Sequence, residues 1–120
     1  MTDHGQGGEL CEVYHRAIEL LGRRWTGAIL QIMLGGTHRF NDIAASIPGL
    51  TDRMLSERLK ELETEGMVER TVVPSTPVRV EYRLTEKGAS VGPIIQAIGE
   101  WAHEWLAVDG SFEPTSSLRR

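Results

Sequence analysis

Residues 40–66 read FNDIAASIPGLTDRMLSERLKELETEG. Phe40, Ile43, Ala44 and Ile47 recur at helical spacing, which predicts a short amphipathic helix over about 40–47. Pro48-Gly49 closes it, because proline cannot continue the hydrogen-bond ladder and glycine tolerates a positive φ. Thr51 is placed to cap a second, longer helix and Gly66 to end it. In that helix Leu55, Leu59 and Leu62 fall within about 60° of one another at 100° per residue. The opposite face carries Arg53, Ser56, Glu57 and Lys60. Two helices joined by a tight turn, the second with an apolar back and a polar front, form a device for placing one helix in the major groove of DNA.

Working outward toward the N-terminus, Thr37-His38-Arg39 has room for one short strand or an extended turn. Before it, Trp25, Ala28, Ile29, Ile32 and Met33 share a face, predicting a helix over about 24–34 that Gly35-Gly36 ends. An earlier helix is predicted from Leu10 to Leu21, with apolar positions at Leu10, Tyr14, Ala17, Ile18 and Leu21 and a stop at Gly22. Lying outside the helix-turn-helix unit, it is free to pack against a second subunit. Residues 1–9 are polar and Gly-rich and are expected to form a disordered tail.

Toward the C-terminus the period changes. Met67, Val68, Val72 and Val73, then Val78, Val80, Tyr82 and Leu84, partly alternate and predict two strands. Pro74-Ser75-Thr76-Pro77 supplies the turn between them. This hairpin would be the wing of a winged helix. Thr85 can cap a last helix whose first turns are weakened by Gly88, Gly92 and Pro93, so its firm part is expected from near Pro93. Ile94, Ile95, Ile98, Trp101, Ala102 and Trp105 form a wide apolar stripe on it. The fold class is therefore mainly α with a small β-hairpin. One winged helix-turn-helix domain is expected over 10–107, with a flexible tail over 108–120.

These residues match a family pattern. The matching stretches are Cys11, LGRRWT at 21–26, RFNDI at 39–43, IPGLTDRML at 47–55, LKELETEGMV at 59–68 and VEYRLT at 80–85, followed by Gly88 and Trp101. Over about residues 10–105 the chain resembles the HxlR family of bacterial winged helix-turn-helix transcriptional regulators. The resemblance implies a homodimer joined through its terminal helices, with two recognition helices reading a pseudo-palindromic operator. It also implies repression or activation of transcription. Some members respond to oxidants or reactive electrophiles through a cysteine near the N-terminus. Many have a proline after that cysteine, whereas here Glu12 follows Cys11.

Roles can be assigned by chemistry. Arg53, near the N-terminal end of the recognition helix, can make a bidentate contact to guanine. Thr51 and Ser56 suit phosphate or base-edge hydrogen bonds, and Lys60 reaches phosphate. Glu57 can accept from cytosine or hold Arg53 one turn away. Arg39, just before the third helix, and Arg79, leading out of the wing turn, are candidate phosphate or minor-groove contacts. Arg58, on the flank of the helix, suits an intramolecular salt bridge. Leu10, Tyr14, Ile18, Ile94, Ile98, Trp101 and Trp105 are the candidate dimer interface. Cys11 is the sole thiol and a candidate redox sensor, with no second cysteine in the chain to resolve it.

Composition bounds the alternatives. The chain has 120 residues, 40% of them hydrophobic and 25% charged, with a net charge of −4. That acidity requires any DNA-facing charge to be local rather than global. No apolar run approaches the ~20 residues that span a bilayer. The N-terminal stretch has neither a basic segment nor an apolar core, so a cytoplasmic protein is expected. Neither a nucleophile and base pair, nor a phosphate loop, nor metal-ligand spacing is visible; Glu100, His103 and Glu104 on one helical turn supply too few ligands. An enzyme is not expected, nor a cofactor. The partners expected are double-stranded DNA, a second copy of the chain and a small-molecule effector, with no membrane. The alternative class is a winged-helix module that binds protein or a small molecule without specific DNA binding.

Overall fold

The computed structural model describes residues 9–107. Six helices and one hairpin follow in the order α1 (Glu12–Leu21), α2 (Thr26–Leu34), α3 (Phe40–Ser46), α4 (Asp52–Thr64), β1 (Val68–Val73), β2 (Arg79–Leu84), α5 (Glu86–Ala89) and α6 (Gly92–Trp105). The tails expected at 1–9 and 108–120 lie, apart from residue 9, outside the described residues. No helix among the described residues is long and apolar enough to cross a membrane.

The caps explain the boundaries of the central unit. Thr51 Oγ1 accepts a hydrogen bond from the Met54 amide at 3.1 Å, satisfying one of the orphan donors at the start of α4. The Gly66 amide donates to Glu63, and the Met67 amide to Leu62, closing the other end. Between α3 and α4 the chain turns at Gly49, whose φ is +88°. The Trp25 ring packs against this turn, 3.4 Å from where a Cβ on Gly49 would stand.

Leu55, Leu59 and Leu62 of α4 are buried with Ile29, Leu30 and Met33 of α2 and with Ile43 of α3. Met67, Val68, Tyr82 and Val91 extend this core under the hairpin. Each fully buried leucine or isoleucine contributes roughly 1.5–3 kcal/mol relative to leaving it exposed. The apolar back of α4 is therefore what holds it, and its polar front is left outside.

The hairpin is antiparallel, with Val68 opposite Leu84 and Val73 opposite Arg79. The short strand allowed at 37–39 is reduced to one isolated bridge between Arg39 and Glu81. The Tyr82 amide donates to the His38 carbonyl at 2.7 Å, so this segment lies along the free edge of β2.

Three expectations are corrected. Helix α2 starts at Thr26 rather than Arg24, because Trp25 has a left-handed backbone with φ 77° and cannot belong to the helix. Leu10 precedes α1, which starts at Glu12 after the Cys11 cap position. The last helix is two helices. Thr85 Oγ1 accepts from the Gly88 amide at 3.1 Å to start the short α5, and α6 begins afresh at Gly92 with Pro93 in its first turn. Gly88 permits this close packing: a Cβ there would lie 2.0 Å from the Met67 carbonyl oxygen.

Candidate nucleic-acid interface

Helix α4 presents its front to solvent. Arg53, Ser56, Glu57 and Lys60 are all exposed, at positions one helical turn apart or less. Arg53 Nε lies 3.4 Å from Glu57 Oε2, so the arginine is steered along the helix rather than left free. Thr51 uses an oxygen lone pair for its cap, which leaves its hydroxyl hydrogen to donate outward.

Glu61 of α4 and Glu65 at its C-cap are paired within the chain. Glu61 Oε2 receives Arg58 Nη1 at 2.6 Å and Arg23 Nη1 at 3.3 Å. Arg58 Nε also donates to the Arg24 carbonyl. Glu65 lies 3.8 Å from Arg16 of α1 and 4.0 Å from Lys87 of α5. Arg24 stacks on Trp25, its guanidinium carbon 5.0 Å from the ring centroid. These pairs offset the charge of Glu61 and Glu65, while Asp52 and Glu57 remain beside Arg53.

A groove of about 690 Å³ runs between the start of α3, the front of α4 and the wing. Arg39, Asn41, Ser56, Arg70, Val78 and Arg79 line it. It thus gathers three of the residues read from sequence, Arg39, Ser56 and Arg79. Glu57 and Lys60 instead line a second hollow, between α4 and α1. Neither Arg39 nor Arg70 has an ion-pair partner among the described residues, which leaves two cations available on the walls of the groove.

Arg79 differs from that pair. Its side chain is 39% exposed, and its Nε is buried 3.5 Å from Glu81 Oε2. Arg83 Nη2 donates to the other carboxylate oxygen of Glu81 at 3.0 Å. Glu81 itself is buried. Burial opposes its ionisation, yet the hydrogen bond from Arg83 and the charges of Arg83, His38 and Arg79 outweigh that effect and hold the carboxyl below its usual 4.5.

Sequence reasoning missed Arg70, Asn41 and Glu81. Arg70 could have been found by alternation, since it sits between Val68 and Val72 on one strand face. Asn41 adjoins Arg39 in the first turn of α3. Glu81 gave no signal, because a glutamate flanked by arginines in an exposed hairpin reads as a solvated face.

The geometry is that of a winged helix with an exposed recognition helix and a basic groove beside it. Comparison with known proteins agrees. The HxlR-like helix-turn-helix family pattern matches residues 20–109. This chain belongs to the HxlR family. Among HxlR-type relatives, the uncharacterized HTH-type transcriptional regulator YvaP of Bacillus subtilis is 49% identical over 104 residues, covering 87% of this chain and 94% of YvaP. The HTH-type transcriptional regulator YodB of the same organism is 43% identical over 99 residues, 82% of this chain and 88% of YodB.

Solved structures share the fold. The reduced form of YodB superposes with a TM-score of 0.70 at 44% identity, covering 80% of this chain and 94% of that one. A quinone-bound YodB gives 0.69 at 40% identity, over 80% of this chain and all of that one. The oxidized form of the redox regulator HypR gives 0.73 at 37% identity, over 82% and 100%. The chain is thus an HxlR-family helix-turn-helix regulator of transcription, with a fold shared by regulators solved in reduced, oxidized and quinone-bound states.

Besides the groove, this HxlR chain has a second exposed feature on its terminal segments. Leu10, Tyr14, Ile18, Ile94, Ile98, Trp101 and Trp105 are all between 47% and 66% exposed. No residue of α1 or α6 is fully buried. Cys11 stands at the head of α1, partly exposed and free.

Proposed function

We propose that the protein acts as a homodimer that binds an inverted-repeat operator and so controls transcription in the cytoplasm. The observation that carries the dimer is the apolar surface of α1 and α6. Two tryptophans, three isoleucines and a tyrosine on the two terminal helices, with Leu10 just before α1, stand open to water, where a monomer would hide them. Pairing them with a second copy removes that surface from solvent and sets two α4 helices on one side of a twofold axis. Recognition helices related in this way enter successive major grooves about 34 Å apart, so half-site centres about 10 base pairs apart, or a multiple, are expected.

Arg53 reads a base edge from the front of α4, with Thr51 and Ser56 donating nearby. Arg39, Arg79 and Lys60 supply phosphate contacts, joined by Arg70 from the groove. With a net charge of −4 the whole molecule does not attract DNA, so this local set must do so. Glu57 restrains Arg53 and disfavours a phosphate beside it.

The proposed signal is a thiol-reactive oxidant or electrophile acting at Cys11. The thiol heads one of the two helices that carry the apolar surface, so a change there bears on the dimer geometry. With one cysteine per chain, its disulfide partner is the second subunit's Cys11 or a small thiol, while a quinone-type electrophile would add to it directly. The regulator then responds because one subunit arrangement is favoured over the other by the modified thiol.

Selection of bound duplexes from random DNA by the purified protein tests the reading. An enriched inverted repeat with the stated spacing is the expected result. Recovery of no enriched sequence at low salt would remove the operator claim and favour a protein-interaction module.

A further inference from the structure

The carboxylate of Glu81 is the one buried acid in the wing, and its two oxygens are divided between two arginines. Oε1 accepts from Arg83 Nη2 at 3.0 Å and Oε2 faces Arg79 Nε at 3.5 Å. The three residues alternate along β2, so all of them stand on one face of the strand. The backbone of Glu81 bridges Arg39 at the mouth of the groove. One residue therefore links the two cations Arg39 and Arg79, which line the groove, to Arg83 further along the strand.

We propose that Glu81 is a positioning residue for DNA recognition, holding Arg79 and Arg83 of the wing in the orientation that fits the operator and damping their attraction to any other duplex. This rests on the DNA-binding reading above. A buried carboxylate without partners would be strongly disfavoured, and here Arg83 holds it by a hydrogen bond while Arg79 faces it as an ion pair at 3.5 Å. An arginine already restrained loses less rotamer freedom when it meets phosphate. At the same time the negative charge between the two cations lowers their summed pull on random DNA, which is chiefly electrostatic. Both effects act in the same direction: they widen the gap between operator and non-operator binding.

The test compares wild type, Glu81→Gln and Glu81→Asp for binding to the selected operator and to a random duplex over a range of salt, at a temperature where all three are folded by thermal melting. Glu81→Gln keeps the shape and removes the charge. Glu81→Asp keeps the charge and is too short to reach both arginines. The operator-to-random ratio is expected to fall roughly three- to tenfold in both variants, toward the lower part of the range for coupled neighbours. In Arg79→Ala, adding Glu81→Gln should then change the ratio less than it does in wild type. Affinities for both duplexes that fall together, with the ratio constant, would overturn the proposal in favour of a structural role. A ratio that changes in Glu81→Gln and not in Glu81→Asp would overturn positioning in favour of charge alone. A wild-type protein that binds all duplexes alike removes the DNA-reading premise itself, and that result is read without any variant.

Discussion

Arg53 and Glu57 face each other across one turn of α4, Nε to Oε2 at 3.4 Å, with side chains 88% and 51% exposed. An exposed helical pair of this kind stabilises the fold by only about 0.3–0.5 kcal/mol. Its consequence lies in where the guanidinium points. Arg53→Ala should leave the melting temperature nearly unchanged. It should weaken operator binding by about 1–3 kcal/mol and relax the preference at one base pair. Competition binding with single-base operator variants measures both. An equal loss on operator and random DNA would place Arg53 on phosphate instead.

Arg39 has no ion-pair partner among the described residues and lines the groove beside α3. A phosphate contact there releases a counterion. Arg39→Ala should reduce the salt slope of binding by about 1 per site contacted, with little change in base preference. Arg79→Ala should do the same, though its ion pair with Glu81 makes the decrease smaller. An unchanged slope in either variant removes that residue from the phosphate path.

The apolar surface on α6 makes a sharp claim about assembly. Ile98→Asp places a charge in the middle of that surface, at a position more than half exposed in the single chain, so the subunit should still fold. Sedimentation should show a monomer. Operator affinity should fall on the order of a hundredfold or more, because two half-sites no longer act as one ligand. A variant that sediments as a dimer would move the interface elsewhere.

Cys11→Ser should keep operator binding and lose the response to diamide or a quinone, read as the change in operator affinity after treatment. Non-reducing gels and mass measurement of the treated wild type would show a crosslinked dimer or an adduct on Cys11. A Cys11→Ser protein that responds as wild type does would exclude the thiol as the sensor.

Glu81 ties stability to pH with a definite sign. Its carboxyl titrates below the usual 4.5 in the folded state. Its ionised form therefore contributes stability that is fully present above the unfolded value and lost as pH falls through the lower folded value. Glu81→Gln should be less stable than wild type at pH 7, and the difference should close as pH falls below 4.5. Urea melts at several pH values measure this. A difference that stays constant into acid would mean that packing, not charge, accounts for the effect of the substitution.

What the sequence alone determined was local. The spacing of Leu55, Leu59 and Leu62 defines the buried back of α4, and its polar front follows without further information. Thr51 and Thr85 cap the helices that follow them, because a hydroxyl reaches an amide only three residues on. Gly49 turns the chain by its own backbone freedom. Each of these is decided within one or two turns of chain, so the order of elements as far as the hairpin was legible, whereas the division of the last helix into α5 and α6 was not.

Tertiary structure decided the rest. Trp25 shares the apolar period of α2, yet its contact with the turn at Gly49 accompanies a left-handed backbone that excludes it from the helix. The burial of Glu81 depends on the segment at 38–39 lying along β2, a pairing that no local pattern encodes. The meeting of Arg39, Ser56, Arg70 and Arg79 around one groove likewise needs α3, α4 and the wing to pack together. Periodicity reports which face of an element is apolar. Which charged side chains converge, and which of them are already paired, is set by contacts between segments far apart in the chain.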